Sequence, residues 1–355
     1  MKTHEVLPML KRFLLFTCFL GLALLTTASR EPAAAAESRD LVVAVYTVAK
    51  EAYERIIIPA FQRHWKTRTG QDVKVRTSYT ASGAQARAII GGFEADVAAL
   101  SLEGDLQQIV KAGLITHDWR TGANKGMISA SVVALGVRKG NPKQIKVWED
   151  LARPGIDVLY PNPKTSGGAM WDIIAIYGAG LKVAAGKSSA AGADSPEAYA
   201  ADLLKRIQKN VKVMDKSGRE SVTTFERGVG DVIVTYENEL LPRIKNNRPY
   251  EIIVPNETVW IENPAAVVDR YADKHKVRDI ADAFVAFLHG PEAQAAFAEL
   301  GFRPVGASAT TASSFPAPSK LFTIADLAGW DQIQEKLFGP QGVWTKAVES
   351  LARGN

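Results

Sequence analysis

Four short polar segments of the sequence contain the residue types that bind anions through the peptide backbone. They are Thr47, TASG (80–83), TSGG (165–168) and KSGRES (216–221). Each lies between an apolar, strand-like run and a helix-like run, and each carries Ser or Thr at a helix N-cap position. The first N–H groups of a helix have no intrahelical partner, and glycine lets a ligand approach the backbone, so such corners can bind anions. Helix capping alone explains any single corner, and a binding function requires that the corners converge.

Motifs for catalysis are sparse by comparison. The PNPKTSGG stretch lacks the first glycine and the residue order of a P-loop, and the sequence has no G-x-S-x-G nucleophile elbow. We therefore expect no enzyme, with an exported enzyme acting on phosphate or sulfate esters as the alternative. We expect no metal or cofactor, because the histidines of the mature chain are scattered without ligand spacing, at His64, His117, His275 and His289.

The N-terminal 36 residues have the layout of a secretory signal peptide. Lys11 and Arg12 precede an apolar run over residues 13–25, which is shorter than the ~20 residues of a membrane span. Small residues follow, and we expect cleavage near Ala36, with Ala28 as a second possible site. The mature protein is then periplasmic, and we expect no later segment apolar enough to cross a bilayer.

Composition narrows the class of protein further. The chain has 355 residues, of which 46% are hydrophobic, enough for a large core in one two-lobed unit or in two domains. Its net charge of +5 comes without a dense Lys/Arg block, so nucleic acid is not an expected partner. Cys18, the only cysteine, lies in the signal peptide, where the preceding LFT disfavours lipid attachment. The mature chain thus has neither a disulfide nor a thiol nucleophile, which suits an oxidising compartment.

Strand-like and helix-like segments alternate along the rest of the chain, which predicts α/β layers. The strand-like segments are 41–47, 73–80, 95–100, 132–140, 211–215, 231–239, 251–255 and 265–269. The helix-like segments are 48–70, 82–92, 219–228, 277–300 and 330–338, and 158–181 passes from an apolar run into a helix. Pro59 is expected to kink or split the first helix. The segments 184–200 and 304–320 are rich in small residues; the first predicts an exposed loop leading into a helix, and the second predicts a loop.

The NPKTSGGAMW stretch (162–171) resembles the signature of the prokaryotic sulfate- and thiosulfate-binding proteins. These proteins are the extracytoplasmic receptors of sulfate ABC importers. Four further stretches resemble the family in order and spacing: SGAQARAIIGGFEADV (82–97), VRKGNPKQIKVWEDL (137–151), TFERGVGDVIVTYENE (224–239) and LFTIADLAGW (321–330). The resemblance covers essentially the whole mature chain, and NPKTSGG together with RKGNPKQI is its most specific part.

The resemblance implies an α/β, two-lobed periplasmic-binding-protein-like fold of type II. Each lobe has a mixed sheet flanked by helices, and crossover strands join the lobes. We expect residues 37–130 and about 240–300 in lobe 1, residues 131–239 in lobe 2, and a C-terminal segment of about 301–355 packing across both. The implied partners are the ligand and the membrane permease subunits of a sulfate ABC transporter, and the chain itself is expected to be a monomer.

The same resemblance implies which residues hold sulfate. The donors carried over by their backbone alone are Thr47, Ser82, Gly167, Gly168 and Gly218. Ser166 is implied to contribute both its backbone and its hydroxyl. The last family donor is a tryptophan indole on a crossover strand, and Tyr236 stands there in this chain, with a hydroxyl that can donate or accept. At Thr47 the family more often has an acidic residue, and TFERG is one residue shorter than the common form.

Charged residues near these positions are assigned supporting roles. Arg219, at the KSGRES corner, is expected to fix its loop against an Asp or Glu rather than to clamp the ligand. Lys164 is expected to be a turn or surface charge. Glu237 and Glu239 flank Asn238 on a predicted strand and so share one face. We expect them to bond the crossover strand to the other lobe rather than to perform acid–base catalysis.

Donor-only chemistry favours sulfate among the oxyanions. Sulfate is fully deprotonated at neutral pH, whereas hydrogen phosphate would set its proton against another donor. That arrangement leaves a polar group unpaired, at a cost of ~1–3 kcal/mol. Thiosulfate and molybdate stay alternative ligands. Ferric iron bound by tyrosines is a further alternative, although Tyr236 has no adjacent tyrosine.

Overall fold

The computed structural model describes residues 39–187, 195–306, 315 and 318–354. The signal peptide predicted for residues 1–36 lies outside the described residues. Parts of the two segments predicted as loops, 184–200 and 304–320, lie outside them as well.

Nine strands in the described ranges form one sheet. They are β1 (Arg39–Tyr46), β2 (Val73–Thr80), β3 (Val97–Ala99), β4 (Met127–Arg138), β5 (Val158–Leu159), β6 (Val211–Val213), β7 (Val232–Tyr236), β8 (Tyr250–Ile253) and β9 (Trp260–Val267). Their order in the sheet is β2-β1-β3-β9-β4-β7-β5-β6, and β8 also pairs with β4.

The long strands β4 and β9 connect two halves of this sheet. In one half β2, β1 and β3 run parallel, and β9 lies antiparallel to β3. In the other half β7, β5 and β6 run parallel, and β7 and β8 pair antiparallel with the second part of β4. The first part of β4 pairs with the first part of β9. The chain therefore passes between the halves along these two antiparallel strands.

Helices flank both halves of the sheet. They are α1 (Lys50–Ala52), α2 (Ile58–Thr69), α3 (Ser82–Ile90), α4 (Glu103–Lys111), α5 (Gly167–Lys187), α6 (Pro196–Lys209), α7 (Gly218–Glu226), α8 (Glu237–Lys245), α9 (Asp269–Lys274), α10 (Arg278–Leu288), α11 (Pro291–Glu299), α12 (Trp330–Phe338) and α13 (Val343–Ala352). A 3-10 turn at Thr47–Ala49 follows β1 directly.

The first helical segment is interrupted near Pro59. A π-helical turn at Tyr53–Ile57 separates α1 from α2, and Pro59 lies in the first turn of α2. Proline has no N–H to bond the carbonyl of Arg55, four residues earlier, and this explains why the regular ladder is lost there. The segment ends at Gly70, whose φ of 73° gives the left-handed cap that glycine favours.

Helix α5 is apolar along its length and packs into the core, in contact with α6 and with strands β4 and β7. Trp171 and Tyr177 on this helix are buried. Residues 167–186 are also long and apolar enough to cross a membrane, so the expectation that no later segment meets this test was wrong. Most of this segment is buried inside the protein, and its composition follows from that position.

Several element boundaries differ from the prediction for local reasons. Strand β7 ends at Tyr236 and α8 follows at once, so Glu237 and Glu239 lie on a helix and not on a strand. The predicted helix 277–300 is two helices, α10 and α11, because Pro291 cannot continue the first but fits the start of the second. Helix α13 has no counterpart in the sequence prediction.

The division into lobes stays a prediction, with one revision. Strand β8 pairs with the same part of β4 as β7 does, so residues 250–253 lie on the half expected for lobe 2, not lobe 1. We propose that the chain returns to lobe 1 along β9 (260–267). Of the C-terminal helices, α12 contacts α4 and α13 contacts α6, which are helices of different halves.

Helix α5 also buries a carboxyl group, that of Asp172. This residue is 1% exposed, and its Oδ1 makes no hydrogen bond to any described residue. Burial raises the pKa of Asp172 well above its usual range, because the charged form is poorly solvated there. The folded state therefore keeps a proton that the unfolded state releases near pH ~4, so the free energy of unfolding falls as the pH rises above that value.

We expect Asp172→Asn to remove this loss of stability at higher pH, because the asparagine amide is neutral at every pH. The melting temperature should then rise at pH 8 and change little at pH 4, as measured by thermal unfolding across this range. Asp279→Asn is the matched control, since a hydrogen bond from Arg39 lowers the pKa of Asp279, and its loss should destabilise slightly at pH 8. Equal shifts of Asp172→Asn at both pH values would contradict the prediction.

Candidate anion-binding site

The polar corners predicted from the sequence meet in the structure. They lie at the N-termini of the turn at Thr47–Ala49 and of helices α3, α5 and α7. The corner before α5 connects two of the others. The N–H of Ala84 in α3 donates to the carbonyl of Thr165 over 3.2 Å, and the Thr165 hydroxyl donates to the carbonyl of Lys216 over 2.8 Å. Helices from both halves of the sheet therefore begin side by side.

The corner before α7 lies against the corner after β1. A Cβ atom at Gly218 would meet Val48 Cγ2 at 3.4 Å, which is an ordinary contact. The guanidinium of Arg219 donates to the Val48 carbonyl and to the Glu51 carboxylate, each over 3.3 Å. It also lies 3.2 Å from Oε1 of Glu239 on α8. Arg219 is thus paired with two carboxylates, and its supporting role beside a ligand stays a prediction.

The N-termini of α3 and α7 leave backbone N–H groups for a ligand. The Ser82 hydroxyl is already engaged, because it donates to Asp105 Oδ2 over 2.6 Å and accepts from the Ser101 N–H over 3.0 Å. Its backbone N–H is the first of α3 and has no intrahelical partner. In α7 the hydroxyl of the N-cap residue Ser217 accepts from the N–H of Glu220, the third residue of the helix. The N–H of Gly218, the first residue, has no intrahelical partner.

At α5, Ser166 caps the helix and two glycines open it. The N–H of Ser166 donates to the carbonyl of Asn162 over 2.8 Å, and its predicted contact with a ligand stays a prediction. The NPKT turn uses that donor to close on itself. The Ser166 hydroxyl accepts from the N–H of Ala169 at 3.4 Å and keeps its proton for a ligand. The N–H groups of Gly167 and Gly168 are the first two of the helix.

Tyr236 ends β7 at the same place. A Cβ atom at Gly168 would lie 3.9 Å from the Tyr236 ring, which is buried. The Tyr236 hydroxyl makes no hydrogen bond to any residue of the described ranges. Burial raises the pKa of Tyr236 well above its usual range, so the hydroxyl stays protonated. A protonated, buried hydroxyl without a protein partner is suited to donate to a bound anion.

The charges around these donors are few. Lys164 is exposed, while Asp105 is 2% exposed and lies behind the start of α3. Burial raises the pKa of Asp105 to about 6, and the Ser82 hydroxyl and the charge of Arg87 act in the opposite direction. Within the described part of the chain, no group of three or more His, Cys, Asp or Glu side chains is placed to hold a metal ion. The arrangement is suited to an anion held by neutral donors.

Sequence reasoning missed two residues of this site, Ser101 and Asp105. The carbonyl of Ser101 accepts from the indole N–H of Trp171 and from the amide of Asn263, each over 2.8 Å. Its position could have been found, because Ser101 follows a strand and precedes helix α4, as in the other four corners. Its single serine is a weaker signal than a Thr-Ser-Gly-Gly run.

The fold and the site together define a class of protein. A sheet in two halves, two connecting strands, and helix N-termini from both halves around a buried site are the features of a two-lobed solute receptor. Residues 41–303 match the family described as bacterial extracellular solute-binding protein. A sulfate-binding protein of Synechococcus elongatus is 42% identical over 88% of this chain and 87% of that protein.

Other relatives agree with this match. A sulfate-binding protein of Escherichia coli is 37% identical over 84% of this chain and 90% of its own, and a thiosulfate-binding protein of Pseudomonas aeruginosa is 32% identical over 88% and 92%. The structure of the sulfate-binding protein SubI from Mycobacterium tuberculosis superposes with a TM-score of 0.76 at 38% identity, covering 84% of this chain and 99% of that one. A periplasmic thiamin binding protein shares the fold alone, with a TM-score of 0.64 at 17% identity over 88% and 96%.

This chain therefore belongs to the bacterial extracellular solute-binding proteins. Its α/β fold is that of the type II periplasmic binding proteins, which confirms the fold class predicted from the sequence.

Proposed function

We propose that this protein captures sulfate outside the cytoplasm and delivers it to the membrane permease of an ABC importer. The observation that carries the proposal is the meeting of helix N-termini from both halves of the sheet around neutral donors. Arg219, a cation beside them, is already paired with Glu51 and Glu239. Sulfate-binding relatives at 37–42% identity over most of the chain support the same ligand.

The proposed ligand contacts are the predicted groups that still have a hydrogen to donate in this fold. They are the N–H groups of Thr47, Ser82, Gly167, Gly168 and Gly218, and the hydroxyls of Ser166 and Tyr236. A hydrogen bond to a charged group contributes ~1.5–3 kcal/mol, and a helix N-terminus adds ~0.3–1 kcal/mol. After the costs of ordering, several such contacts give a Kd near ~1 μM, or about −8 kcal/mol. The site therefore needs no unpaired Lys or Arg to bind a dianion tightly.

Calorimetric titration of the exported protein with sulfate, thiosulfate, molybdate and phosphate tests the ligand. We expect sulfate to bind most tightly and phosphate least, because hydrogen phosphate carries a proton that would face another donor. Thiosulfate is the second candidate, because two relatives at 30–32% identity are thiosulfate-binding proteins. Absence of sulfate binding, or tighter binding of another anion, would overturn the proposal.

Ser166→Ala is expected to weaken sulfate binding by ~1.5–3 kcal/mol, because it removes one hydroxyl donor to a charged ligand. The same titration measures this loss. Ser195→Ala is a matched control, because Ser195 also caps a helix, α6, through a 3.2 Å bond from the Ala198 N–H. It should leave sulfate binding unchanged, and an unchanged affinity of Ser166→Ala would refute the role of its hydroxyl.

Export and assembly complete the proposal. We propose that the signal peptide is removed near Ala36, that the mature protein is a periplasmic monomer without catalytic activity, and that closure of the lobes around sulfate forms the surface read by the permease. Support comes from anion corners on both halves of the sheet. N-terminal sequencing of the exported protein checks the cleavage site, and hydrolysis of a sulfate or phosphate ester would contradict a pure receptor.

A further inference from the structure

Ser101 contributes a further buried hydroxyl at the site. Ser101 is 1% exposed and follows β3. Its backbone is fully used, because its N–H donates to the Ser82 hydroxyl and its carbonyl accepts from Trp171 and Asn263. The Ser101 hydroxyl itself makes no hydrogen bond to a described residue. The chain thus fixes the position of this hydroxyl without using its proton.

The Ser101 hydroxyl lies directly against the start of α5. A Cβ atom at Gly167 would lie 2.2 Å from Ser101 Oγ, so the hydroxyl packs on the first residue of that helix. A Cβ atom at Gly168, the second residue of the helix, would lie 3.9 Å from the Tyr236 ring. Both side chains therefore face the N-terminal end of α5, where two N–H groups have no intrahelical partner.

The two hydroxyls are also neighbours of each other. Burial raises the pKa of Tyr236, and a side-chain contact with Ser101 acts in the opposite direction. Neither completes a hydrogen bond of normal geometry in the described structure. If they bonded only to each other, one proton would still lack an acceptor, because each hydroxyl carries one proton to donate. An anion beside both of them can accept both protons.

We infer that Ser101 is a further ligand-binding residue, whose hydroxyl donates to the bound anion next to the hydroxyl of Tyr236. This inference rests on the proposed function, since it assigns a further donor to the same oxyanion. It adds a donor from the end of β3 to those at the N-termini of the helices. A tetrahedral dianion such as sulfate accommodates both protons, because each of its oxygens accepts hydrogen bonds and none donates one.

Sulfate titration of Ser101→Ala, Tyr236→Phe and the double variant tests the inference. The alanine keeps every backbone bond of Ser101, and the melting temperature reports whether the fold is retained. We expect Ser101→Ala to weaken sulfate binding about 10- to 100-fold, the range for loss of one donor to a charged group. We also expect it to weaken binding at least about fivefold further in the Tyr236→Phe background, since a direct contact does not depend on the tyrosine hydroxyl.

A merely structural role of Ser101 predicts a different result. If Ser101 only positions the Tyr236 hydroxyl, Ser101→Ala has no effect once that hydroxyl is absent, and this outcome would overturn the inference. Tyr177→Phe is the matched control, because it removes an equally buried hydroxyl without a partner from a distant part of α5, and it should bind sulfate like the wild type. If the wild type itself fails to bind sulfate, the proposed function is wrong. If the wild type binds sulfate and Ser101→Ala binds it equally well, only the inference about Ser101 is wrong.

A second measurement covers the case in which Ser101→Ala does not fold. In a crystal structure of the wild-type protein with sulfate, Ser101 Oγ should lie about 2.6–3.0 Å from a sulfate oxygen. A separation beyond about 3.5 Å would rule out the contact.

Discussion

Gly167→Ala is expected to weaken sulfate binding by about 3 kcal/mol, roughly 150-fold, because it misplaces two donors to a charged ligand. A Cβ atom at this position would lie 2.2 Å from Ser101 Oγ, 2.7 Å from Leu102 Cδ2 and 3.0 Å from Asp105 Oδ2. These three side chains are buried, so the added methyl group displaces the start of α5 rather than moving into open space. The N–H groups of Gly167 and Gly168, which we propose as donors to the anion, are then displaced.

Gly186→Ala is the matched control for this prediction. A Cβ atom at Gly186, near the end of the same helix, meets no atom within 4 Å, so this substitution leaves the start of α5 in place. Its sulfate affinity should stay close to that of the wild type in the same calorimetric titration. Equal losses in both variants, or no loss in Gly167→Ala, would show that the start of α5 does not hold the ligand as proposed.

Glu237→Leu is expected to lower the free energy of unfolding by about 3–5 kcal/mol, because it removes the buried carboxylate that pairs with the buried guanidinium of Arg303. Glu237 is 0% exposed and Arg303 is 6% exposed, and Arg303 Nη2 donates to Glu237 Oε2 over 3.0 Å. A second contact joins Arg303 Nε to Oε1 of the same carboxylate. The pair ties the start of α8 to a segment that is bonded to Ala130 on β4. Urea unfolding at neutral pH measures the loss.

Two further variants separate a buried pair from an exposed one. Replacing both partners, as Glu237→Leu with Arg303→Met, should recover much of the stability, since no charge is then buried alone. Asp279→Asn breaks the pair of Arg39 with Asp279, whose side chains are 35% and 54% exposed, and should cost at most about 1 kcal/mol. A loss for Glu237→Leu no greater than for Asp279→Asn would mean that the buried pair contributes little to folding.

Local sequence signals were sufficient for much of the fold. Alternating apolar runs and helix-like segments gave the α/β layers, and the segment 330–338 is a helix with the predicted bounds. The signals failed where two local preferences compete. At TYENE the apolar run passes directly into residues that also suit a helix. The buried carboxylates of Glu237 and Glu239 pair with Arg303 and Arg219, which are distant in the chain. No local pattern could reveal those partners.

The chemistry of the corners was contained in the sequence by itself. Serine, threonine and glycine at the starts of α3, α5 and α7 specify uncharged donors and a close approach to the backbone, whatever lies around them. These are properties of neighbouring residues, so they can be predicted without knowledge of the fold.

Only the tertiary structure decided which donors remain for a ligand. It engages the N–H of Ser166 with Asn162, pairs Arg219 with Glu51 and Glu239, and places the Ser101 hydroxyl against α5. Most of these contacts join residues that are far apart in the chain, and each hydrogen bond made inside the protein removes a group from the set that can bind an anion. The sequence determined the kinds of groups at the site, whereas packing determined which of them are still free to bind.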